Sequence, residues 1–176
     1  MKLLVLYVLV FVYLLYITSG RFQGYVWLLP THPAAHPNSA LELQEVIDHV
    51  NTRTPEDVAF HRLTDRSVSD AFIELLGPLG WSVEELDAIV EEDIPEIKAR
   101  KLWHNRPRPW QLYPGLDRLE TTTGWTPSFP AGHAWQARTL ARRFSDLYPG
   151  LAPQLWELAD RCKIIRVKAG LHYPSD

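Results

Sequence analysis

After residue 38 the apolar positions recur at helical spacing, and no run of alternating β-branched residues suggests a strand. In SVSDAFIELLG, Val68, Ala71, Phe72, Leu75 and Leu76 form one stripe that stops at Gly77. HAWQARTLARRFSDLYPG repeats the pattern with Ala137, Leu140, Ala141, Phe144 and Leu147 before a Pro-Gly stop. A further helix is predicted from Ala152 to Val167. Start signals agree: Ser39 with Glu42 forms a capping box opening ALELQEVIDHV, and Thr54-Pro55-Glu56-Asp57 supplies an N-cap, a first-turn proline and early acids. Ser82 with Glu85 caps another helix, which Pro95 kinks or restarts. The pattern predicts an all-α bundle.

The N-terminus reads differently. Residues 3–17 are apolar throughout and carry no charge. Residues 1–20 are therefore a signal-anchor helix in a membrane or a signal peptide cut after Gly20, which makes the protein either membrane-anchored or secreted/periplasmic. Residues 21–38 are a proline-containing linker, and residues 39–176 form one globular domain.

Composition sharpens this picture in two respects. The net charge of −3 argues against nucleic acid as a partner, yet 13 of the 18 Lys and Arg residues lie between Lys98 and Lys168. Cys162 is the sole cysteine and falls on the apolar spacing of Leu155, Leu158, Ala159 and Ile165, as expected of a buried, inert thiol.

Three stretches carry candidate chemistry. KLWHNRPRP holds Lys101 and Arg108, seven residues apart and on one side if the helix persists, with Pro107 and Pro109 stiffening the chain around the arginine. FPAGHAWQA places His133 on the opening turn of a helix behind Gly132, where backbone N–H groups attract anions. Such a histidine can be a cap, a surface group or a proton donor. RVKAGLHYPSD supplies Arg166, a turn at Gly170, and His172 four residues before Asp176 across an expected helix start. That spacing lets the carboxylate hold one imidazole nitrogen and leave the other as a lone pair.

In this order the blocks resemble the phosphatidic acid phosphatase type 2 and vanadium-dependent haloperoxidase superfamily, and the wording NRPRPWQL, TPSFPAGHA and AGLHYPSD is similar to its acid-phosphatase-like bacterial members. The resemblance covers roughly residues 85–176. It implies a helical bundle of that type and a site that binds phosphate without a metal or other cofactor. His172 would attack phosphorus, Asp176 would orient it, and His133 would protonate the leaving group. Lys101, Arg108 and Arg166 would clamp the phosphate oxygens, with the Gly132 amide and position 131 beside them. The substrate would be a small organic phosphate or, less consistently with at most one span, a lipid phosphate.

This chain departs from the pattern at Ala131, where the family usually has serine; Ser128 is a partial substitute. Ile165 also stands where a serine often precedes the arginine. The chain stops at Asp176, where relatives continue a helix, so either the sequence is a fragment or the His172–Asp176 pairing is loose. Two further readings stay open: a haloperoxidase holding vanadate on the same cations, and an inactive membrane-tethered scaffold. Trp103, Trp110, Tyr113, Trp125 and Trp135 crowd the motifs and either wall a pocket or pack the core.

Overall fold

A computed structural model describes residues 5–12 and 39–176. Eight α-helices follow Ser39: α1 (Ser39–Asn51), α2 (Pro55–Thr64), α3 (Ser69–Leu76), α4 (Val83–Glu91), α5 (Ile94–His104), α6 (Pro109–Leu112), α7 (Gly132–Leu147) and α8 (Ala152–Lys168). Among the described residues there is no strand. The all-α expectation therefore holds.

The dominant packing is the α7–α8 hairpin, against which α2, α3 and α4 lean. Its core joins Phe72, Leu76, Leu86, Leu140, Phe144 and Leu155, none of which retains any exposure. Phe144 meets Trp81 edge-on at 4.8 Å and stacks on Tyr148 at 6.3 Å. Cys162 belongs to this core, and burial raises its thiol pKa to about 12, as an inert thiol requires. A smaller cluster of Val46, Val50, Leu116, Val167 and Tyr173 ties α1 to α8 and the turn beyond it.

The helix starts follow local chemistry. Thr54 and Ser82 each accept from the amide three residues on, and Asp57 and Glu85 answer with the reciprocal bond. Pro95 restarts the chain, because α4 ends at Glu91 and α5 opens with that proline in its first turn. Ser39 and Glu42 depart from expectation. Both side chains turn to Arg106, and Glu42 also accepts from Ser175, so the pair serves a long-range contact.

One further expectation is corrected. The helix carrying Lys101 does not reach Arg108: it ends at His104, where Asn105 adopts a left-handed conformation (φ 47°) that asparagine tolerates. Residues 174–175 form a turn in which the Asp176 amide donates to the Tyr173 carbonyl at 3.0 Å and the Tyr173 amide donates to Asp176 Oδ2 at 2.9 Å.

Residues 5–12 are helical and expose their apolar side chains. The rest of the hydrophobic 3–17 run and the 21–38 linker lie outside the described residues. Among the described residues, no helix is long and apolar enough to cross a membrane.

Candidate active site

The reversal at Asn105 sends the chain into Pro107-Arg108-Pro109. Arg108 is extended (φ −76°, ψ 157°), as a residue before proline prefers, and caps α6 while its amide donates to Gln111 Oε1 at 2.8 Å. Its buried guanidinium donates to the carbonyls of Thr126 at 2.7 Å and Leu171 at 2.8 Å. One terminal nitrogen also lies 3.1 Å from His172 Nε2.

That contact fixes the tautomer. Arginine only donates, so Nε2 must present its lone pair and Nδ1 must carry the proton. Nδ1 donates to Asp176 Oδ2 at 2.9 Å. Burial lowers the His172 pKa well below the usual imidazole value, Arg108 lowers it further, and Asp176 opposes both. The ring is held neutral with one oriented lone pair.

Asp176 is not loose. Its side chain has no exposure; Oδ2 also accepts from the Tyr173 amide at 2.9 Å and from the Ser128 hydroxyl, and Oδ1 accepts from Arg106 at 2.7 Å. Burial opposes its ionisation, but the His172, Arg106 and Ser128 contacts hold the carboxyl well below the usual range. Ser128, expected as a substitute phosphate donor, is committed to this carboxylate instead. Lys101 stands beside the group, buried and donating to the carbonyls of Pro127 at 2.7 Å and Ser128 at 3.1 Å. Burial and then Arg108 push its pKa well below the ordinary lysine value.

Arg166 and His133 form a second cluster around Asp65. The Arg166 guanidinium, 1% exposed, donates to Asp65 Oδ1 at 3.0 Å, to Thr121 at 3.1 Å and Thr123 at 3.2 Å, and lies 3.3 Å from His61 Nδ1. Among the described residues its buried Nε has no partner. His133, in the first turn of α7, donates from Nε2 to the Asp65 carbonyl at 3.1 Å. Burial, then Arg166, lowers its pKa well below the usual value. Burial opposes ionisation of Asp65, yet Thr121, Thr122 and Arg166 hold its carboxyl far below the normal range. The clusters feel each other, since Lys101 depresses the His133 pKa and Arg166 depresses that of Lys101.

Ala131 and Gly132 sit where α7 begins. The Ala131 amide donates to the Asp176 main-chain oxygen at 3.1 Å. A Cβ at Gly132 would meet only Ile97, at 3.6 Å, so no protein neighbour demands glycine there. Gly170 does need to be glycine: its φ is +72°, and a Cβ would lie 3.1 Å from Leu116 and 3.2 Å from Arg118.

Two cavities border these clusters. One of about 710 Å³ includes His61, Asp65, Thr121 and Trp125 in its wall. The other, of about 750 Å³, includes Ala131, Trp135, Arg142, Lys163 and Asp176. Neither wall contains Arg108, His133, Arg166 or His172. Of the aromatic residues near the motifs, Trp125 and Trp135 line these cavities, Trp110 packs on the smaller core, and Trp103 and Tyr113 are exposed.

Arg106, Asp65 and His61 were not singled out by sequence. Arg106 lies inside NRPRP but carries no spacing signal of its own; Asp65 and His61 belong to α2 and the segment after it, outside the resemblance. Compared with known proteins, the chain matches no family model and no curated sequence.

Proposed function

We propose that the chain is a metal-independent phosphatase that hydrolyses phosphomonoesters through a phosphohistidine on His172. The observation that carries the reading is the His172 ring, anchored through Nδ1–H to Asp176 with its Nε2 lone pair beside a buried guanidinium. In the proposed reaction Nε2 attacks phosphorus, the N–P bond forms, and the P–O bond to the alcohol breaks. His133, which takes up a proton when the anionic phosphate enters beside it, gives that proton to the departing oxygen. It then takes one from water, which attacks phosphorus and releases inorganic phosphate and the free imidazole.

Arg108 has a double place in this scheme. It holds the lone pair in the resting site and passes to a phosphate oxygen when substrate enters. Lys101 and Arg166 complete the clamp, with the Gly132 amide at the start of α7. Phosphoryl transfer asks the protein mainly for positioning and charge stabilisation. Unit charges at ~4 Å and an effective dielectric of ~20 interact by about 4 kcal/mol before desolvation, so three cations are a substantial resource.

Small organic phosphates fit this reading better than lipid phosphates. The apolar side chains exposed over residues 5–12 support a membrane tether at the 3–17 segment. The test compares the wild type with His172→Ala on a chromogenic aryl phosphate. The expected loss is about a thousandfold or more in kcat, the scale seen for a nucleophile. Equal rates would reject His172 as nucleophile, and inactivity of both would favour a scaffold. Halide oxidation with vanadate and peroxide, inhibited by phosphate, would instead assign a haloperoxidase.

A further inference from the structure

Arg106 is among the most enclosed side chains of the molecule, and none of its contacts is needed to build a helix. The side chain has no exposure. Its Nε donates to Ser39 Oγ at 3.0 Å, one terminal nitrogen donates to Ser175 Oγ at 2.8 Å and Asp176 Oδ1 at 2.7 Å, and the other donates to Glu42. The guanidinium plane covers the Tyr173 ring at 4.0 Å. Glu42 in turn accepts from the Ser175 amide at 2.9 Å and its hydroxyl at 2.7 Å.

The oxygen Arg106 takes matters. His172 binds Oδ2 of Asp176, whereas Arg106 binds Oδ1. Gripped on both oxygens, the carboxylate cannot rotate, so the imidazole it holds cannot rotate either. Without Arg106, Oδ1 would be a buried charged acceptor lacking its strongest donor, and the plane of the carboxylate would be set by Oδ2 alone. Charges alternate along the chain of contacts: Glu42 negative, Arg106 positive, Asp176 negative, His172 imidazole.

We infer that Arg106, braced by Glu42 from α1, is a positioning residue that locks the Asp176 carboxylate and through it the aim of His172. The inference rests on the phosphohistidine reading for its catalytic consequence, but its structural consequence is measurable without any activity. Arg106 touches no substrate in this scheme. It acts through Asp176, as an outer partner acts on a ligating histidine, where loss typically costs about 10- to 100-fold.

The experiment uses the full chain, labelled with 15N-histidine in detergent, and compares the wild type with Arg106→Lys and Glu42→Gln. Arg106→Lys keeps the charge and loses the fork. Expected are His172 ring nitrogen signals that are sharp in the wild type and shifted or broadened in Arg106→Lys as the ring loses its fixed orientation, with kcat down about tenfold and KM within about twofold. Glu42→Gln keeps one acceptor oxygen, which can still serve Arg106 and the Ser175 hydroxyl, but removes the charge and the acceptor for the Ser175 amide; it should move the His172 signals in the same direction by a smaller amount. It also serves as the deciding variant if Arg106→Lys does not fold. Unchanged His172 signals in every variant that folds would overturn the inference. If the wild type cleaves no phosphomonoester, the function falls while the nitrogen spectra still decide the role of Arg106.

Discussion

A terminal nitrogen of Arg108 sits 3.1 Å from Nε2 of His172, a residue 64 positions further along the chain. A cation so placed opposes protonation of the ring, and burial adds to the effect. Replacing it as Arg108→Gln removes the repulsion and raises the His172 pKa. The acid limb of kcat/KM should therefore move to higher pH than in the wild type, while kcat/KM falls about 10²- to 10³-fold from lost charge stabilisation. Arg108→Lys should leave that limb near its wild-type position. A pH profile on an aryl phosphate checks both.

Three buried imidazoles make acid a denaturing condition. His61, His133 and His172 all have native pKa values below the usual 6.5, chiefly through burial. The unfolded chain binds protons on these rings near 6.5, and the native protein does not until lower pH. Stability consequently rises with pH through this region and is lost as pH falls below about 6.5. The thermal midpoint should be lower at pH 5 than at pH 7. His61→Gln, whose amide can still donate to the Glu120 carbonyl, should flatten that difference.

Asp65 balances Arg166, and removing it exposes the imbalance. Asp65→Ala leaves a buried guanidinium with only neutral partners, a change that costs about 3–5 kcal/mol when a buried pair is broken. Urea denaturation reads this loss. Inorganic phosphate should recover more stability in Asp65→Ala than in the wild type, because an anion can occupy the vacated partner position. Equal stabilisation of the two proteins by phosphate would show that Arg166 is not open to an external anion.

Much of this fold was legible because its determinants are local. Thr54 and Ser82 cap the helices they precede in sequence, and the Phe72, Leu140 and Phe144 stripes face the core. Gly170 turns the chain with a positive φ where RVKAGLHYP suggested a turn. The site was legible only in part. Arg108 and His172 meet, and His172 pairs with Asp176, but Lys101 reaches them from a helix that ends four residues before Arg108. Asp65 and Arg106 stayed hidden because their roles arise from contacts across 101 and 70 positions. The same holds for Glu42, whose spacing from Ser39 mimics a local cap while its carboxylate serves Arg106. A short-range pattern cannot tell a carboxylate that caps its own helix from one that binds a distant arginine.

Gly170 offers a test of the turn that delivers His172. In Gly170→Ala the new Cβ meets Leu116 and the Arg118 backbone at a backbone conformation that L-residues disfavour by roughly 1–2 kcal/mol. A destabilisation of at least that size is expected in urea, together with a reduced kcat, since His172 lies two residues on. Full activity with lowered stability would separate the turn from the aim of the imidazole.

Ala131 is the position where the structure and the motif make competing claims on a hydroxyl. It is the N-cap of α7, extended at φ −70° and ψ 109°, and no side chain caps the helix there. Ala131→Ser can direct its hydroxyl to the amides of the first turn, which stabilises by about 1 kcal/mol at a typical N-cap. Alternatively the hydroxyl can face a bound phosphate, as serine does in the family the motif resembles. Each choice has its own signature. A capping hydroxyl raises the thermal midpoint without ligand and leaves phosphate inhibition unchanged, whereas a phosphate-facing one lowers the inhibition constant with little change in the free protein. Phosphate tightening of about tenfold or more is expected, because a hydrogen bond to a charged acceptor contributes about 1.5–3 kcal/mol. A rise in thermal midpoint alone would place position 131 in the helix cap and outside the phosphate site.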